Sequence, residues 1–268
     1  MRYAVLSDVH GNLHALRAVV EAVRREGVDG YLCLGDLVGY GPAPNECVEV
    51  VADLGAVCVA GNHDLIALGE LGDERCGPLA RQTNPWTREV IDEDTRRYLA
   101  ALPPTARVGD VVLAHGAPGD PQKYVTYPDL ADRVLDRLVD TEPGYRVLAV
   151  GHTHVPWAYA RTGGTLAKGR TRGPVRLDPA DWHLLNPGSV GQSRDRSVDA
   201  RYLVLDVERG EAALRAVAYD VRGHVAALRR AGLPAGTHHL PPTLREGAER
   251  VAAKVGRRAA AVRRLLRA

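Results

Sequence analysis

The first sixty residues alternate short apolar runs with amphipathic helical patterns, and this alternation constrains the fold more than any other feature. Residues 3–6, 31–34 and 56–60 are strand-like, whereas 13–23 and 47–54 carry apolar residues at helical spacing. A β-α-β-α-β order predicts parallel strands with helices packed on them. The sequence therefore indicates an α/β fold.

The rest of the chain continues with many strands and few helices. Residues 65–105 carry helical and loop signals without a clear strand, and we interpret them as a helical insertion. A further helical pattern covers residues 130–138. The later strands predict a second, more antiparallel sheet. They comprise residues 111–114, 146–150, 157–160, 183–185, 202–207 and 212–218.

The end of the chain differs in charge from the body, which we take as one domain over residues 1–242. Residues 243–268 start with a capping box at Thr243 and Glu246 and continue as an apolar stripe beside basic residues, which predicts an amphipathic C-terminal helix. The chain has a net charge of +2, but residues 245–268 hold eight basic and two acidic residues. The body is therefore acidic, and we expect the basic helix to dock on it.

Composition excludes several classes of protein. With 45% hydrophobic and 25% charged residues, the chain is typical of globular domains. No run approaches the roughly 20 apolar residues of a membrane span, and the apolar start before Ser7 is too short for a signal peptide. The four cysteines form no C-x-x-C pair, so we expect a protein of the reducing cytoplasm.

Polar side chains follow five of the predicted strands, at the point where each strand ends. They are Asp8 with His10, Asp36, Asn62 with His63, His115, and His152 with His154. Because the carboxyl ends of parallel strands line one edge of a sheet, where ligands normally bind, we expect these groups to meet. Each cluster alone is compatible with an ordinary turn or a buried structural histidine, but five together favour a functional site.

The residue types at these ends favour metal ions. Asp, His and Asn side chains bind divalent metals of intermediate softness. With His63 set aside, seven candidate ligands remain, which exceeds the three protein ligands of a catalytic zinc ion. They suit two metals about 3.5–4 Å apart that share a carboxylate. Because no thiolate is among them, zinc stays possible while manganese, iron or cobalt fit equally well.

These motifs occur in the order found in the calcineurin-like metallophosphoesterases, which the chain resembles over residues 1 to about 154. The motifs are Asp8-x-His10, Gly35-Asp36-x-x-Gly39, Gly61-Asn62-His63-Asp64, His115 and Gly151-His152-x-His154. The run at 185–190 resembles the small bacterial and archaeal phosphodiesterase branch and extends the likeness to about residue 208. The resemblance implies a four-layer α/β/β/α sandwich of two mixed β-sheets flanked by helices.

The resemblance also implies a role for each motif residue. Seven residues would hold two metals: Asp8, His10 and His154 on one side, Asn62, His115 and His152 on the other, with Asp36 bridging them. Mn²⁺ is the ion expected first, with Fe, Zn, Co or Ni as alternatives. A hydroxide bridging the metals would attack the phosphate in line. His63 would act as general acid and protonate the leaving alkoxide.

The segment after Asp36 bears on the substrate. Relatives that act on phosphoproteins or dinucleoside tetraphosphates carry a phosphate-binding arginine there, whereas residues 35–41 contain none. A monoanionic diester is therefore a better match than a dianionic monoester, and a phosphodiesterase is the first hypothesis. An arginine reaching the site from the insertion, Arg81 or Arg88, would reverse this argument.

Other hypotheses stay open beside the phosphodiesterase. One is a phosphomonoesterase acting on phosphoproteins or dinucleoside polyphosphates. Another is a non-catalytic metal-binding scaffold, since one branch of the fold has lost the catalytic histidine that this chain keeps as His63. We expect a small phosphate-ester substrate and no membrane partner. Nucleic acid would bind only through the basic tail, and a homo-oligomer is possible.

Overall fold

Two six-stranded mixed sheets form the centre of the computed structural model, which describes residues 1–169, 171 and 173–240. The first sheet has the order β3 (Val57–Cys58), β2 (Gly30–Cys33), β1 (Arg2–Leu6), β11 (Ala200–Asp206), β12 (Glu211–Val217) and β9 (Val175–Arg176). The second has the order β4 (Thr105–Val108), β5 (Val111–Ala114), β6 (Val147–Val150), β10 (His183–Asn186), β7 (Trp157–Ala160) and β8 (Gly164–Lys168).

Each sheet contains three adjacent parallel strands. In the first sheet β1, β2 and β3 are parallel, as the opening alternation predicts. In the second sheet β5, β6 and β10 are parallel. The remaining pairs are antiparallel.

The described ranges contain seven helices. They are α1 (Leu13–Glu26), α2 (Pro44–Asp53), α3 (Asn62–Leu68), α4 (Pro78–Val90), α5 (Glu93–Ala100), α6 (Pro128–Thr141) and α7 (Val221–Arg230). None of the helices in these ranges is long and apolar enough to cross a membrane. The predicted basic helix at 243–268 lies outside the described residues.

Three layers of apolar side chains hold the architecture together. Between the sheets, Leu32 and Leu203 of the first sheet share a buried cluster with Leu113 of the second. The outer face of the first sheet packs against α1 and α2, and the outer face of the second packs against α6. The predicted four-layer α/β/β/α sandwich is thereby confirmed.

Some sequence predictions of individual strands were wrong. The second sheet is no more antiparallel than the first, because three of the five strand pairs are antiparallel in each. The strands β11 and β12 pair beside β1 in the first sheet instead. The short strands β4, β8 and β9 were missed, β4 starting at the last residue of the segment taken as a strandless insertion. Sheet membership depends on pairing between distant segments, which local patterns do not encode.

Candidate metal centre

The carboxyl ends of the parallel strands meet at one end of the molecule and bring the predicted site residues together. Asp8 and His10 follow β1, Asp36 follows β2 and His115 follows β5. The remaining candidates follow β3 and β6: Asn62, His63, His152 and His154. All eight side chains are buried, with at most 6% of the surface of each residue exposed.

One group of candidate ligands consists of Asp8, His10 and His154, whose ligand atoms lie within 4.8 Å of one another. Oδ1 of Asp8 is 3.1 Å from Nε2 of His154 and 3.8 Å from Nε2 of His10. The two imidazole Nε2 atoms are 3.3 Å apart. Three donor atoms thus converge on one point, as an ion requires.

A second group consists of Asp36, His115 and His152, again within 4.8 Å of one another. Nε2 of His115 is 3.2 Å from Oδ2 of Asp36 and 3.1 Å from Oδ1 of Asn62. Oδ2 of Asp36 also lies 3.6 Å from Nε2 of His10 in the first group. The Asp36 carboxylate therefore stands between the two groups.

The second ring nitrogen of three histidines is held by a backbone carbonyl. Nδ1 of His10 lies 3.0 Å from the carbonyl oxygen of Val38, and Nδ1 of His115 lies 2.7 Å from that of Leu34. Nδ1 of His154 lies 2.6 Å from the carbonyl oxygen of Gln192. Such contacts fix the ring and the tautomer, so that Nε2 presents its lone pair to the site.

Three ligand atoms of the site have no hydrogen-bond partner although they are buried: Oδ1 of Asp8, Oδ2 of Asp36 and Nε2 of His152. The other oxygen of each carboxylate is satisfied. Oδ2 of Asp8 accepts a hydrogen bond from the Ser7 hydroxyl at 2.6 Å. Oδ1 of Asp36 accepts one from the backbone N–H of His63 at 2.8 Å. Because a buried polar atom without a partner costs about 1–3 kcal/mol, these atoms fit the coordination of cations.

The protonation states of the histidines also fit metal binding. Burial lowers the pKa of His10 and His154, and it lowers the pKa of His152 to about 3. A neutral imidazole binds a metal without first losing a proton. Burial also acts to lower the pKa of His115, but the carboxylates of Asp36 and Asp8 outweigh it and raise that pKa to about 10. A metal ion that binds His115 would therefore have to displace a proton from its imidazole.

The backbone at the site adopts an unusual conformation. Across the described ranges, every non-glycine residue with positive φ belongs to the loops of this site. These residues are Asp8, His10, Asp36, Tyr40, His152 and His154, with φ between 50° and 62°. L-residues rarely adopt the left-handed region, and such strain concentrates at functional sites.

Two close backbone approaches explain the glycines in the motifs. A Cβ atom on Gly61 would lie 2.2 Å from both the backbone nitrogen and Oδ1 of Asp36. A Cβ atom on Gly151 would lie 1.9 Å from Ser7 Oγ. Larger residues would therefore push apart the loops that carry the candidate ligands.

Asp64 ties the Asp36 loop to the start of α3. Its buried carboxylate accepts hydrogen bonds from the backbone N–H groups of Gly61, Asp36, Leu37 and Val38, at 2.8–3.2 Å. These four bonds fix the positions from which Asp36 and Asn62 reach the site.

His63 lies beside the two groups. Its ring centroid is 5.0 Å from that of His10 and 4.8 Å from that of Tyr40. Nδ1 of His63 is buried without a hydrogen-bond partner in the described structure, and a Cβ atom on Gly39 would come within 2.7 Å of it. Since Nδ1 faces Gly39, Nε2 is the nitrogen free to meet a substrate.

Arg194 is a cation near the site that the sequence analysis missed. Its charge contributes to lowering the pKa of His63, His152 and His154. The arginines of the insertion are occupied or exposed: Nε of Arg88 donates to the Ile66 carbonyl oxygen at 2.8 Å, and Arg81 is on the surface. The sequence feature that points to Arg194 is its position in the loop after β10. Because β10 is parallel to β6, this loop starts at the sheet edge that carries His152 and His154.

Comparison with known proteins identifies the family. The family model for calcineurin-like phosphoesterases matches residues 1–164. The chain belongs to the calcineurin-like phosphoesterases. This confirms the resemblance drawn from the motifs, and the protein is a metal-dependent enzyme that hydrolyses phosphate esters. The two groups of candidate ligands are suited to the dinuclear divalent metal centre that this family uses.

Relatives of this phosphoesterase share the fold over most of its length. A metallophosphoesterase from Sphaerobacter thermophilus is 34% identical with a TM-score of 0.74, covering 87% of this chain and 95% of that chain. An uncharacterised protein of Methanocaldococcus jannaschii is 34% identical, covering 82% of this chain and 88% of that protein. A hypothetical protein from Pyrococcus horikoshii OT3 shows the same fold, with a TM-score of 0.68 at 20% identity. The match covers 87% of this chain and 94% of that chain.

Divalent metal should raise the melting temperature of this phosphoesterase by about 5–10 °C. At one hundred times the dissociation constant, binding adds about 2.7 kcal/mol to the free energy of unfolding, and each kcal/mol is worth about 2–4 °C for a chain of this size. Differential scanning fluorimetry of the metal-free protein with Mn²⁺ measures the shift, and excess chelator should reverse it. An unchanged melting temperature with Mn²⁺, Fe²⁺ and Zn²⁺ would contradict a metal centre.

Proposed function

We propose that this enzyme hydrolyses phosphodiesters, with the seven candidate ligands holding two metals and His63 acting as general acid. The observation that carries the diester proposal is the loop after Asp36, which adds no cation to the site. Leu37 and Val38 are fully buried in the core, and Tyr40 is buried against His63. Among the metals and the side chains that would bind them, charge then comes from the two cations and two carboxylates.

Charge balance favours a monoanionic substrate at such a centre. Two divalent cations with the carboxylates of Asp8 and Asp36 leave roughly two positive charges in excess. A hydroxide nucleophile and a monoanionic diester together neutralise that excess. A dianionic monoester would leave an uncompensated negative charge in a buried site, which is costly.

The residues of the chain divide the work of the reaction. When bound, the two cations supply positive charge to the phosphate and a water acidic enough to attack near neutral pH. The carbonyls of Val38, Leu34 and Gln192 hold three imidazoles in place for those cations. The Asp36 carboxylate accepts a hydrogen bond from the backbone N–H of His63, and this bond holds His63 in position beside the centre.

His63 would deliver a proton from Nε2 to the leaving oxygen. Burial lowers the pKa of His63, and the Asp36 carboxylate opposes this effect. A bound phosphate brings further negative charge beside the ring, which favours the protonated form. General acids of this kind contribute about 10²–10⁴-fold to rate.

A substrate panel tests the diester proposal. We expect the Mn²⁺-loaded enzyme to show higher kcat/KM for bis-(p-nitrophenyl) phosphate than for p-nitrophenyl phosphate, and chelation to abolish both activities. Cyclic nucleotides in the same panel separate small diesters by leaving group. A clear preference for the monoester would overturn the proposal in favour of a phosphomonoesterase.

A phosphomonoesterase is the second candidate, with phosphoproteins or dinucleoside polyphosphates as substrate classes, because Arg194 adds a cation near the ligands. Membership of a family of hydrolases argues against a non-catalytic scaffold. We propose manganese as the first metal to test, because it suits the oxygen and nitrogen donors of the candidate ligands, as Fe, Zn, Co and Ni also do. All four cysteines are free thiols, which supports a reducing cytoplasm.

A further inference from the structure

Arg194 lies on the loop between β10 and β11 and is held by two neutral side chains. Its Nε and one terminal nitrogen donate to Oε1 of Gln192 at 3.2 and 2.9 Å. Its other terminal nitrogen donates to the Tyr124 hydroxyl at 3.1 Å. These bonds fix the plane of the half-buried guanidinium.

The same two partners contact one candidate ligand in each group. The backbone carbonyl of Gln192 lies 2.6 Å from Nδ1 of His154. The Tyr124 ring stacks on His152, with centroids 4.0 Å apart and planes at 29°. The guanidinium is therefore anchored, through Gln192 and Tyr124, to both halves of the centre at once.

The charge of Arg194 is not neutralised by a carboxylate. Within the described part of the chain, no acidic oxygen lies within 4.0 Å of its nitrogens, whereas Arg201 after the same loop pairs with Asp195 at 2.8 Å. Gln192 and Tyr124 orient the guanidinium without cancelling its charge. An oriented, unpaired guanidinium beside a phosphate-hydrolysing centre has the geometry and the charge to bind phosphate oxygens.

We infer that Arg194 binds a non-bridging oxygen of the substrate phosphate and thereby admits dianionic phosphomonoesters to a centre otherwise matched to diesters. This inference rests on the proposed phosphoester chemistry of the two metal groups. With Arg194 the excess positive charge rises to roughly three, which balances hydroxide together with a dianion. Arg194 thus extends the substrate range of the centre to monoesters, and it supplies the arginine that residues 35–41 lack.

Substitution of Arg194 should separate the two substrate classes. In the Mn²⁺-loaded enzyme, Arg194→Gln should lower kcat/KM for p-nitrophenyl phosphate by about 10- to 100-fold. The loss for bis-(p-nitrophenyl) phosphate should be several times smaller. Arg194→Lys keeps the charge and should restore part of the monoester activity. Arg196→Gln removes an exposed arginine on the same loop and serves as the matched control.

Two further measurements distinguish phosphate binding from a structural role. Tyr124→Phe removes the hydroxyl that holds Arg194 but keeps the ring that stacks on His152, and it should reproduce a weaker form of the same selectivity change. Metal content should stay at the wild-type value in all variants. Equal losses for both substrates, accompanied by lost metal, would mean that Arg194 only braces His152 and His154, and would overturn the inference.

Binding of inorganic phosphate tests the inference independently of turnover. Titration calorimetry should show weaker phosphate binding to Arg194→Gln than to wild type, by about tenfold or more. If the wild-type enzyme hydrolyses neither ester, the proposed function fails, while the phosphate titration still decides the role of Arg194. Equal phosphate affinity in wild type and Arg194→Gln would overturn that role.

Discussion

Asp36→Asn should lower hydrolysis of any phosphate ester by about 10³-fold or more and reduce the bound metal below two ions per chain. The Asp36 carboxylate stands 3.6 Å from Nε2 of His10 and 3.2 Å from Nε2 of His115, between the two ligand groups. An amide keeps the shape but removes the charge that both cations would share. Metal ions contribute several kcal/mol to such reactions, which corresponds to about 10³-fold.

The control for this substitution is Asp140→Asn, which changes an exposed aspartate on α6. It should leave metal content and turnover at wild-type values. Atomic emission spectroscopy measures the metal, and circular dichroism checks that both variants fold. Asp36→Asn protein that retains two ions and full activity would show that Asp36 does not bridge the centre.

His63→Gln should produce a loss that depends on the leaving group. An alkoxide leaves poorly without a proton, so turnover of an alkyl phosphodiester should fall by about 10²–10⁴-fold. Nitrophenolate is stable as an anion, so hydrolysis of bis-(p-nitrophenyl) phosphate should fall by less than about tenfold. Comparing kcat for the two diesters measures the difference directly.

The matched control for His63 is His14, which lies outside the centre. Its Nδ1 is 3.8 Å from Oδ2 of Asp220, and its ring packs near His224. His14→Gln should therefore affect both diesters equally and weakly. If His63→Gln also lowers both to the same extent, then His63 positions the substrate or the metals, and another group protonates the leaving oxygen.

The strand-end pattern predicted most of the site because it depends on local sequence. Short apolar runs mark the parallel strands, and the polar residue after each run must lie near the carboxyl edge of its sheet. Asp8 after β1, Asp36 after β2 and His115 after β5 follow this rule. The same reasoning gave the layered α/β fold, because buried helical faces alternate with these strands.

What the sequence did not reveal depends on long-range pairing. The strand at 183–185 was recognised but assigned to a more antiparallel sheet, and the loop after it was not placed at the site. Because β10 is parallel to β6, that loop brings Gln192 and Arg194 to the centre. The role of Asp64 was also hidden, since its partners are backbone N–H groups of another loop.

The left-handed backbone at the site has a consequence for the fate of the protein in a cell. Each such residue costs about 1–2 kcal/mol, so the six together approach the usual net stability of a domain. The packing of the two sheets must offset this strain in the metal-free protein, and metal binding would add to the free energy of unfolding. Metal-starved protein would therefore unfold and be degraded more readily, so that metal supply would govern how much enzyme persists as well as how fast it works.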